Sequence, residues 1–244
     1  MRLEGQVAII TGVSNAGQVG YALASAFARE GALLAISARN AQRVSERADE
    51  LRATGAQVIG IPADLTTEEG ASTLVQNTLA AYGRINILVN LAGGLTKYGP
   101  SDELTLADWE AELSNNLRTA FLCSRAVWPF MKSQGGGKIL NFSRAGGVQS
   151  AGPMMLAYNC AKAGIDALTI TLAKEGKQFG ISVNAIGPGL ITTQSNIDSM
   201  KPSPEVIRNK WVNLEHIIEA AIFLVTSASD GVNGVVLPVQ GKGI

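Results

Sequence analysis

The sequence predicts a single-domain α/β fold: a doubly wound parallel sheet of about seven strands with helices on both faces. Three observations predict it. The strand-like segments are short and almost continuously apolar, as strands covered on both faces are, rather than alternating apolar and polar. They alternate with segments of helical periodicity from one end of the chain to the other. No linker divides the 244 residues into two units. With 46% hydrophobic and 16% charged residues, the chain has the material for one large core and little for a solvated tail.

The elements justify this in order. Residues 7–10 (VAII) read as a buried strand ending at Thr11-Gly12. Residues 20–30 follow with Leu23, Ala24, Phe27 and Ala28 at helical spacing. Residues 33–37 are a second apolar run, and 41–53 a charged amphipathic helix. Residues 57–61 are strand-like, and 67–82 read as a helix with Thr66 or Thr67 as cap and acids in its first turn. Residues 85–90 (INILVN) form the next strand. The second half repeats the pattern: a long helix over 107–131, a Gln134-Gly-Gly-Gly turn, a strand over 138–142, and a long apolar helix over 156–179. A strand over 181–186, a helix over 217–226 and a last strand over 235–239 complete it. The least regular stretch, 192–213, carries Pro202 and Pro204 and reads as a substrate lid with Met200 and Trp211 as its apolar members.

Composition excludes several classes. Lys+Arg and Asp+Glu both number 20 and no basic cluster stands out, so a nucleic-acid partner is not expected. One histidine, His216, and two cysteines, Cys123 and Cys160, leave no multi-histidine or four-thiolate metal centre and no disulfide framework. His216 reads as a surface or cap residue, and Cys160 as packing. No apolar run approaches the ~18 residues of a membrane span. The opening Met1-Arg2-Leu3-Glu4-Gly5 is not a secretory signal, so a cytoplasmic protein without a membrane partner is expected.

The turn after the first strand carries chemistry. Gly12, Ser14, Asn15, Gly17 and Gly20 lie between a strand and a helix, the context of a dinucleotide fingerprint. Glycines let the backbone approach a pyrophosphate, and the helix N-terminus offers unpaired N–H groups. An NAD site puts an acid at the end of the second strand; here the run is Ser37-Ala38-Arg39-Asn40. Arg39 can clasp a 2′-phosphate, so NADP is favoured over NAD. Farther on, Tyr158 and Lys162 stand four residues apart, on one helix face. An ammonium near a phenol favours the phenolate, which predicts a Tyr158 pKa below the ordinary ~10 and a tyrosine fit for acid–base work.

These motifs together resemble the short-chain dehydrogenase/reductase family, almost end to end, with 3-oxoacyl-carrier-protein reductases as the nearest type. Thr11-Gly12, Gly17 and Gly20 resemble its cofactor turn, Asp64-Leu65 its adenine-contact pair, and Asn90-Leu-Ala92-Gly93 its N-N-A-G segment. Asn116 resembles its active-site asparagine, Tyr158 and Lys162 its Tyr and Lys, and Pro188-Gly189 with Ile191 and Thr193 its P-G-x-x-x-T segment. The resemblance implies a Rossmann-like fold and hydride exchange between a nicotinamide and a carbonyl or secondary alcohol. It casts Tyr158 as general acid in reduction and Lys162 as the ribose ligand. Asn116 would hold a water that links Lys162 to solvent. Asn90, Ala92 and Gly93 would line the cofactor, and the backbone from Pro188 through Gly189 and Ile191 to Thr193 would seat the carboxamide. It also implies a homodimer or homotetramer through the two long helices, whose Trp109, Phe121 and Trp128 read as packing residues.

Two departures stand out. The glycine turn is two residues longer than the family's and should bulge. Some enoyl reductases of the family also lengthen this loop, but they set Tyr and Lys farther apart; the spacing here favours carbonyl chemistry. The position of the family's catalytic serine is ambiguous. Counting back from Tyr158 reaches Ala145, and counting on from Asn141 reaches Arg144, with Ser143 one before it. Either Ser143 donates to the substrate from a shifted strand end, or Arg144 takes its place and polarises a carbonyl or grips a carboxylate or phosphate. Ser143 is the expected choice. A second function is carried beside the enzyme: a dinucleotide-binding sensor or scaffold that kept the fold without the chemistry.

Overall fold

The computed structural model describes residues 1–242; Gly243 and Ile244 of the expected single domain lie outside the described residues. Its strands are β1 (Val7–Thr11), β2 (Leu33–Ala38), β3 (Val58–Pro62), β4 (Ile87–Asn90), β5 (Gly137–Phe142), β6 (Ile181–Pro188) and β7 (Val236–Val239). They form one parallel sheet in the order β3-β2-β1-β4-β5-β6-β7. The order reverses between β1 and β4, and at such a point the loops leaving the carboxyl ends of the strands splay apart into a crevice.

Helices α1 (Val19–Arg29), α2 (Ala41–Ala53) and α9 (Leu214–Val225) cover one face; α3 (Glu68–Tyr82), α5 (Thr119–Gln134) and α6 (Leu156–Gly176) cover the other. β1 shows why its sequence is apolar throughout. Ala8 and Ile10 pack with Phe27 and Leu34 on the first face, and Ile9 packs with Leu74 and Leu88 on the second. Thr67 caps α3 through its side chain, which accepts from Gly70 N–H, and Asn40 caps α2 by accepting from Arg43 N–H.

Two expectations change. The long helix over 107–131 is two helices, α4 (Leu106–Leu113) and α5, joined by a π-helical turn at Ser114–Arg118. Asn116 Nδ2 donates to the Glu112 carbonyl at 3.0 Å, the acceptor that a regular helix offers to the Asn116 backbone N–H. The side chain thus enters the ladder and widens it. The lid segment is not irregular either. It folds into α7 (Gln194–Met200), capped by Thr193, and α8 (Pro204–Lys210), capped by Ser203 with proline in its first turn. Trp211 is only 6% exposed, and Val212 bridges Ile191, so this end of the segment belongs to the body of the fold. Met200 is exposed.

A buried polar thread crosses the sheet. Asn90 Nδ2 donates to Asn141 Oδ1 at 2.9 Å, and Asn141 Nδ2 donates to Thr169 Oγ1 on α6 at 2.8 Å. Both polar atoms of the Asn141 amide are paired in this thread, and buried amides need such partners, so it helps to fix how α6 lies against β4 and β5.

Candidate active site

At the carboxyl edge of β1 to β4 a cleft of 470 Å³ opens, lined among others by Gly12, Ser14, Arg39, Asp64, Leu65, Ala92 and Gly93. All seven were singled out from the sequence. The wall is largely backbone. Gly12 has φ +78, and a Cβ on Gly20 would stand 2.6 Å from the Gly12 carbonyl oxygen, so only glycine lets the start of α1 approach the end of β1 this closely. Thr11, which the sequence reading passed over as a site residue, holds the next loop: its Oγ1 accepts from Leu91 N–H at 2.9 Å and Ala92 N–H at 3.0 Å. Arg43, on the first turn of α2, joins Arg39 in the cleft wall. Asp64 Oδ1 accepts from Thr66 N and Oγ1, and these bonds hold its carboxyl below the usual carboxylate range, with Arg39 adding to the effect.

Of the remaining glycine-turn residues, Gly17 and Gln18 face the lid. Gly17 O accepts from Gln194 N–H at 3.4 Å, Gln18 Nε2 donates to Ser195 Oγ at 2.6 Å, and a Cβ on Gly17 would meet Gln194 Cβ at 3.1 Å. The extra length of the turn is therefore in contact with α7 for Gly17 and Gln18; Asn15 accepts from Gln18 N–H through its carbonyl. Pro188 and Gly189 end β6, where the Pro188 carbonyl accepts from Ala145 N–H and Gly189 N–H donates to Val239 O. Ile191 is bridged to Val212, and Thr193 is buried as the α7 cap.

Asn90 corrects an expectation. Its side chain lies within the sheet, donating to Asn141 and to Ser124 Oγ at 3.0 Å, and does not line the cleft. Asn116 also differs in how it works. Its Oδ1 accepts from Gly94 N–H at 3.0 Å, and its Nδ2 donates to Gly94 O and to Glu112 Oε2 at 3.0 Å. Gly93, at φ +130, has room only for hydrogen on this side, since a Cβ would stand 2.6 Å from Asn116 Oδ1. The amide is thus committed to shaping the cleft floor, which leaves the main chain of the π turn to meet any water. Glu112 went unnoticed in the sequence. It is fully buried, and its Oε1 accepts from Thr96 N–H at 2.6 Å and Lys97 N–H at 2.9 Å. Its spacing of four from Asn116 is the signal that could have found it.

Tyr158 and Lys162 share a face of α6, as the spacing requires. Lys162 Nζ lies 5.4 Å from the centre of the Tyr158 ring and donates to the Phe142 carbonyl at 2.8 Å. Burial pushes the Lys162 ammonium down to about 8, against the raising pull of Asp166 and Glu112. The expected direction for Tyr158 is reversed. Burial raises its pKa; the cation that opposes this is Arg144, and Glu112 reinforces the rise. Desolvation of the phenol outweighs the neighbouring charges.

Ser143 is buried and turned toward α6. Its Oγ donates to the Lys162 carbonyl at 3.4 Å, and it lies beside Asp166, whose carboxyl pKa burial raises. The expected choice of Ser143 as the donor to substrate does not fit this orientation. Arg144, the next residue, lines a cleft with Leu156, Asn159 and Ala163 of α6 and has its Nη1 buried without a partner. Cys160, expected to pack, is exposed, while Cys123 is buried and its thiol is pushed up to about 12 by desolvation. His216 is exposed at the start of α9.

A glycine cradle at a helix N-terminus, two arginines beyond β2, and a Tyr–Lys pair at the same sheet edge fit a nicotinamide dinucleotide. The comparisons agree with this geometry. A family model described as short chain dehydrogenase matches residues 6–203, and the protein belongs to the short-chain dehydrogenase/reductase family. It is an oxidoreductase of that family, acting between alcohol and ketone with NAD or NADP as cofactor. D-threitol dehydrogenase of Mycolicibacterium smegmatis is 32% identical over 98% of this chain and 93% of its own. The 3-oxoacyl-acyl-carrier-protein reductase of Synechocystis is 34% identical over 78% of this chain and 76% of its own. A solved structure from Burkholderia xenovorans, described as a short-chain dehydrogenase/reductase, superposes with a TM-score of 0.89 at 31% identity, covering 99% of this chain and 97% of that one.

Proposed function

We propose that the protein is a cytoplasmic NADP(H)-dependent enzyme that reduces a carbonyl, or oxidises the matching secondary alcohol, with Tyr158 as the proton donor and acceptor. The observation that carries the cofactor choice is the pair Arg39 and Arg43 in the cleft wall beyond β2, where no carboxylate stands among residues 37–40. Two guanidinium groups there favour a 2′-phosphate over a bare ribose hydroxyl. The nicotinamide supplies or accepts the hydride. Gly12, Ser14, Gly17 and Gly20 with Asn15 form the pyrophosphate turn, and Asp64, Leu65, Ala92 and Gly93 flank the adenosine half.

Tyr158 is a protonated phenol at neutral pH, with burial raising its pKa, and so has a proton to give to a carbonyl oxygen. Lys162 orients the site by its bond to the Phe142 carbonyl and would bind the nicotinamide ribose. Asn116 shapes the floor, and its π turn would hold the water that restores the proton to Tyr158 through Lys162. Residues Pro188, Gly189, Ile191 and Thr193 would seat the carboxamide. Exposed Phe121 on α5 and exposed Leu156 and Ile170 on α6 support a homodimer or homotetramer built on these helices. The unpaired Cys123 and Cys160 suit a reducing compartment.

Titration with NADPH and NADH, followed by turnover on a carbonyl panel, tests the proposal. Tighter NADPH binding is expected, and Arg39→Ala should weaken it about ten- to hundredfold while leaving NADH unchanged, the worth of a charged hydrogen-bonding contact. Equal affinities in the parent would refute the NADP assignment. Cofactor binding without turnover on any carbonyl would return the sensor reading.

A further inference from the structure

We propose that Arg144 is a substrate-binding cation that grips a carboxylate, so that the enzyme acts on oxo- and hydroxy-carboxylic acids in preference to uncharged ketones and alcohols. This rests on the reading of Tyr158 as proton donor and deepens it by naming the substrate class.

The backbone of Arg144 is clamped at the end of β5. The next residue, Ala145, donates its N–H to the Pro188 carbonyl at 3.0 Å, and a Cβ on Gly187 would stand 2.6 Å from the Arg144 carbonyl oxygen. The side chain therefore leaves a fixed point. Its Nη1 is buried and donates to no atom of the described residues, and it forms no ion pair among them. A charged donor left in that condition is costly, and an anionic ligand is what relieves it. A guanidinium presents a planar fork that matches a carboxylate.

The surroundings select the ligand. Arg144 lines a 290 Å³ cleft whose walls include Val148, Pro153, Met154 and Leu156. One cation among apolar walls suits an anion with a short hydrocarbon body. The same guanidinium is close enough to Tyr158 for its charge to oppose the burial-driven rise in the phenol's pKa. The cleft is also lined by Met154 and by Leu156 in the first turn of α6, the turn that carries Tyr158, so a group held by Arg144 is held beside the end of the helix that presents the proton donor. Ser143, the neighbouring hydroxyl, is engaged with α6 and does not compete. The facing carboxylate is Asp166. The charges of Lys162 and Arg144 both act on it, yet it makes no ion pair with Arg144 among the described residues, and its Oδ1 is also buried without a partner.

The test compares pyruvate, acetoacetate and levulinate with their methyl esters, using the full-length protein and NADPH. In at least one pair the acid should exceed its ester in kcat/KM by about ten- to hundredfold, expressed in KM, as a charged bidentate contact would give. Arg144→Gln should bring the acid-to-ester ratio to about one, and Arg144→Lys should retain part of it. Three results overturn the proposal: equal acid and ester in the parent; an equal loss on both in Arg144→Gln, which would mean that Arg144 polarises the reacting carbonyl; or an unchanged ratio with non-additive stability losses in Arg144→Gln and Asp166→Asn, which would make the two a structural pair. A thermal-shift measurement separates this proposal from the hydride-transfer reading. If no carbonyl is reduced but the NADPH-loaded protein is stabilised by the acid, not by the ester, and Arg144→Gln erases the shift, the anion site stands and the reductase reading falls. Absence of both turnover and shift overturns the anion site.

Discussion

The two halves of the sheet's carboxyl edge prepare for ligands by different means. Along β1 to β4 the wall is backbone and glycine, with the arginines and Asp64 at the rim. Along β5 and β6 it is made of side chains taken out of water: Lys162 bonded to a carbonyl, Ser143 facing α6, Tyr158 desolvated, and Arg144 with a buried unpaired nitrogen. Backbone cradles recognise what every dinucleotide shares. Desolvated side chains set proton affinities and select substrates, and these are terms that burial controls. The difference teaches that perturbation of the first half should act on cofactor affinity, and of the second on proton transfer and on the choice of substrate.

The largest effect that would break this division is expected at Tyr158. Tyr158→Phe removes the proton donor and should lower kcat/KM about a thousandfold, with NADPH affinity retained in a fluorescence titration. A comparable loss of affinity would place the phenol on the binding side of the division. Gly20→Ala should act the other way. Its Cβ would press on the Gly12 carbonyl at 2.6 Å, so dinucleotide affinity should fall about tenfold and stability by about 1–3 kcal/mol, read from urea midpoints. Unchanged affinity would mean that the turn yields at no cost to the cradle. Glu112 bears on both halves, because it holds Asn116 and the 96–97 backbone while its charge acts on Tyr158 and Lys162. Glu112→Leu leaves two backbone donors without an acceptor and should destabilise by about 1–3 kcal/mol for each, while Glu112→Gln, which keeps one acceptor oxygen, should lose less.

The smallest effect is a matter of pH. Lys162 in the folded protein releases its proton near 8, below its ordinary 10.5, so between these values the unfolded chain binds more protons. Stability should therefore rise with pH across that interval relative to Lys162→Met, in which this contribution is absent. Parallel stability curves for the two proteins would show that the ammonium is better solvated than its burial implies. Parent activity should decline as the same proton leaves, if the charged form binds ribose.

The sequence made the fold legible because strands buried on both faces are written as runs such as VAII and INILVN, and every such run became a strand. It made the glycine cradle legible because only glycine meets the backbone requirement at Gly12 and Gly20. The break at Ser114–Arg118 was not legible. There the Asn116 side chain takes the Glu112 carbonyl from the ladder while also bonding the Gly94 main chain, and nothing in the local periodicity of 107–131 records a partner so far away in the chain. The spacing of Tyr158 and Lys162 located the pair but not its electrostatics, because the Phe142 carbonyl holds the ammonium and burial governs the phenol. Ser143 and Arg144 differ by a single position. Sequence spacing could not tell that the hydroxyl is spent on the Lys162 carbonyl while the guanidinium lines a cleft with one nitrogen buried and unpaired.

The amide thread from Asn90 through Asn141 to Thr169 has a practical consequence. It anchors the proton-transfer helix from beneath, independently of the mouth formed by residues 144–155 and 192–213. Grafting those two segments from a homologue, with Thr193, Gln194 and Ser195 retained at the cofactor turn, is thereby a route to retarget the enzyme: the new mouth would inherit a working interior.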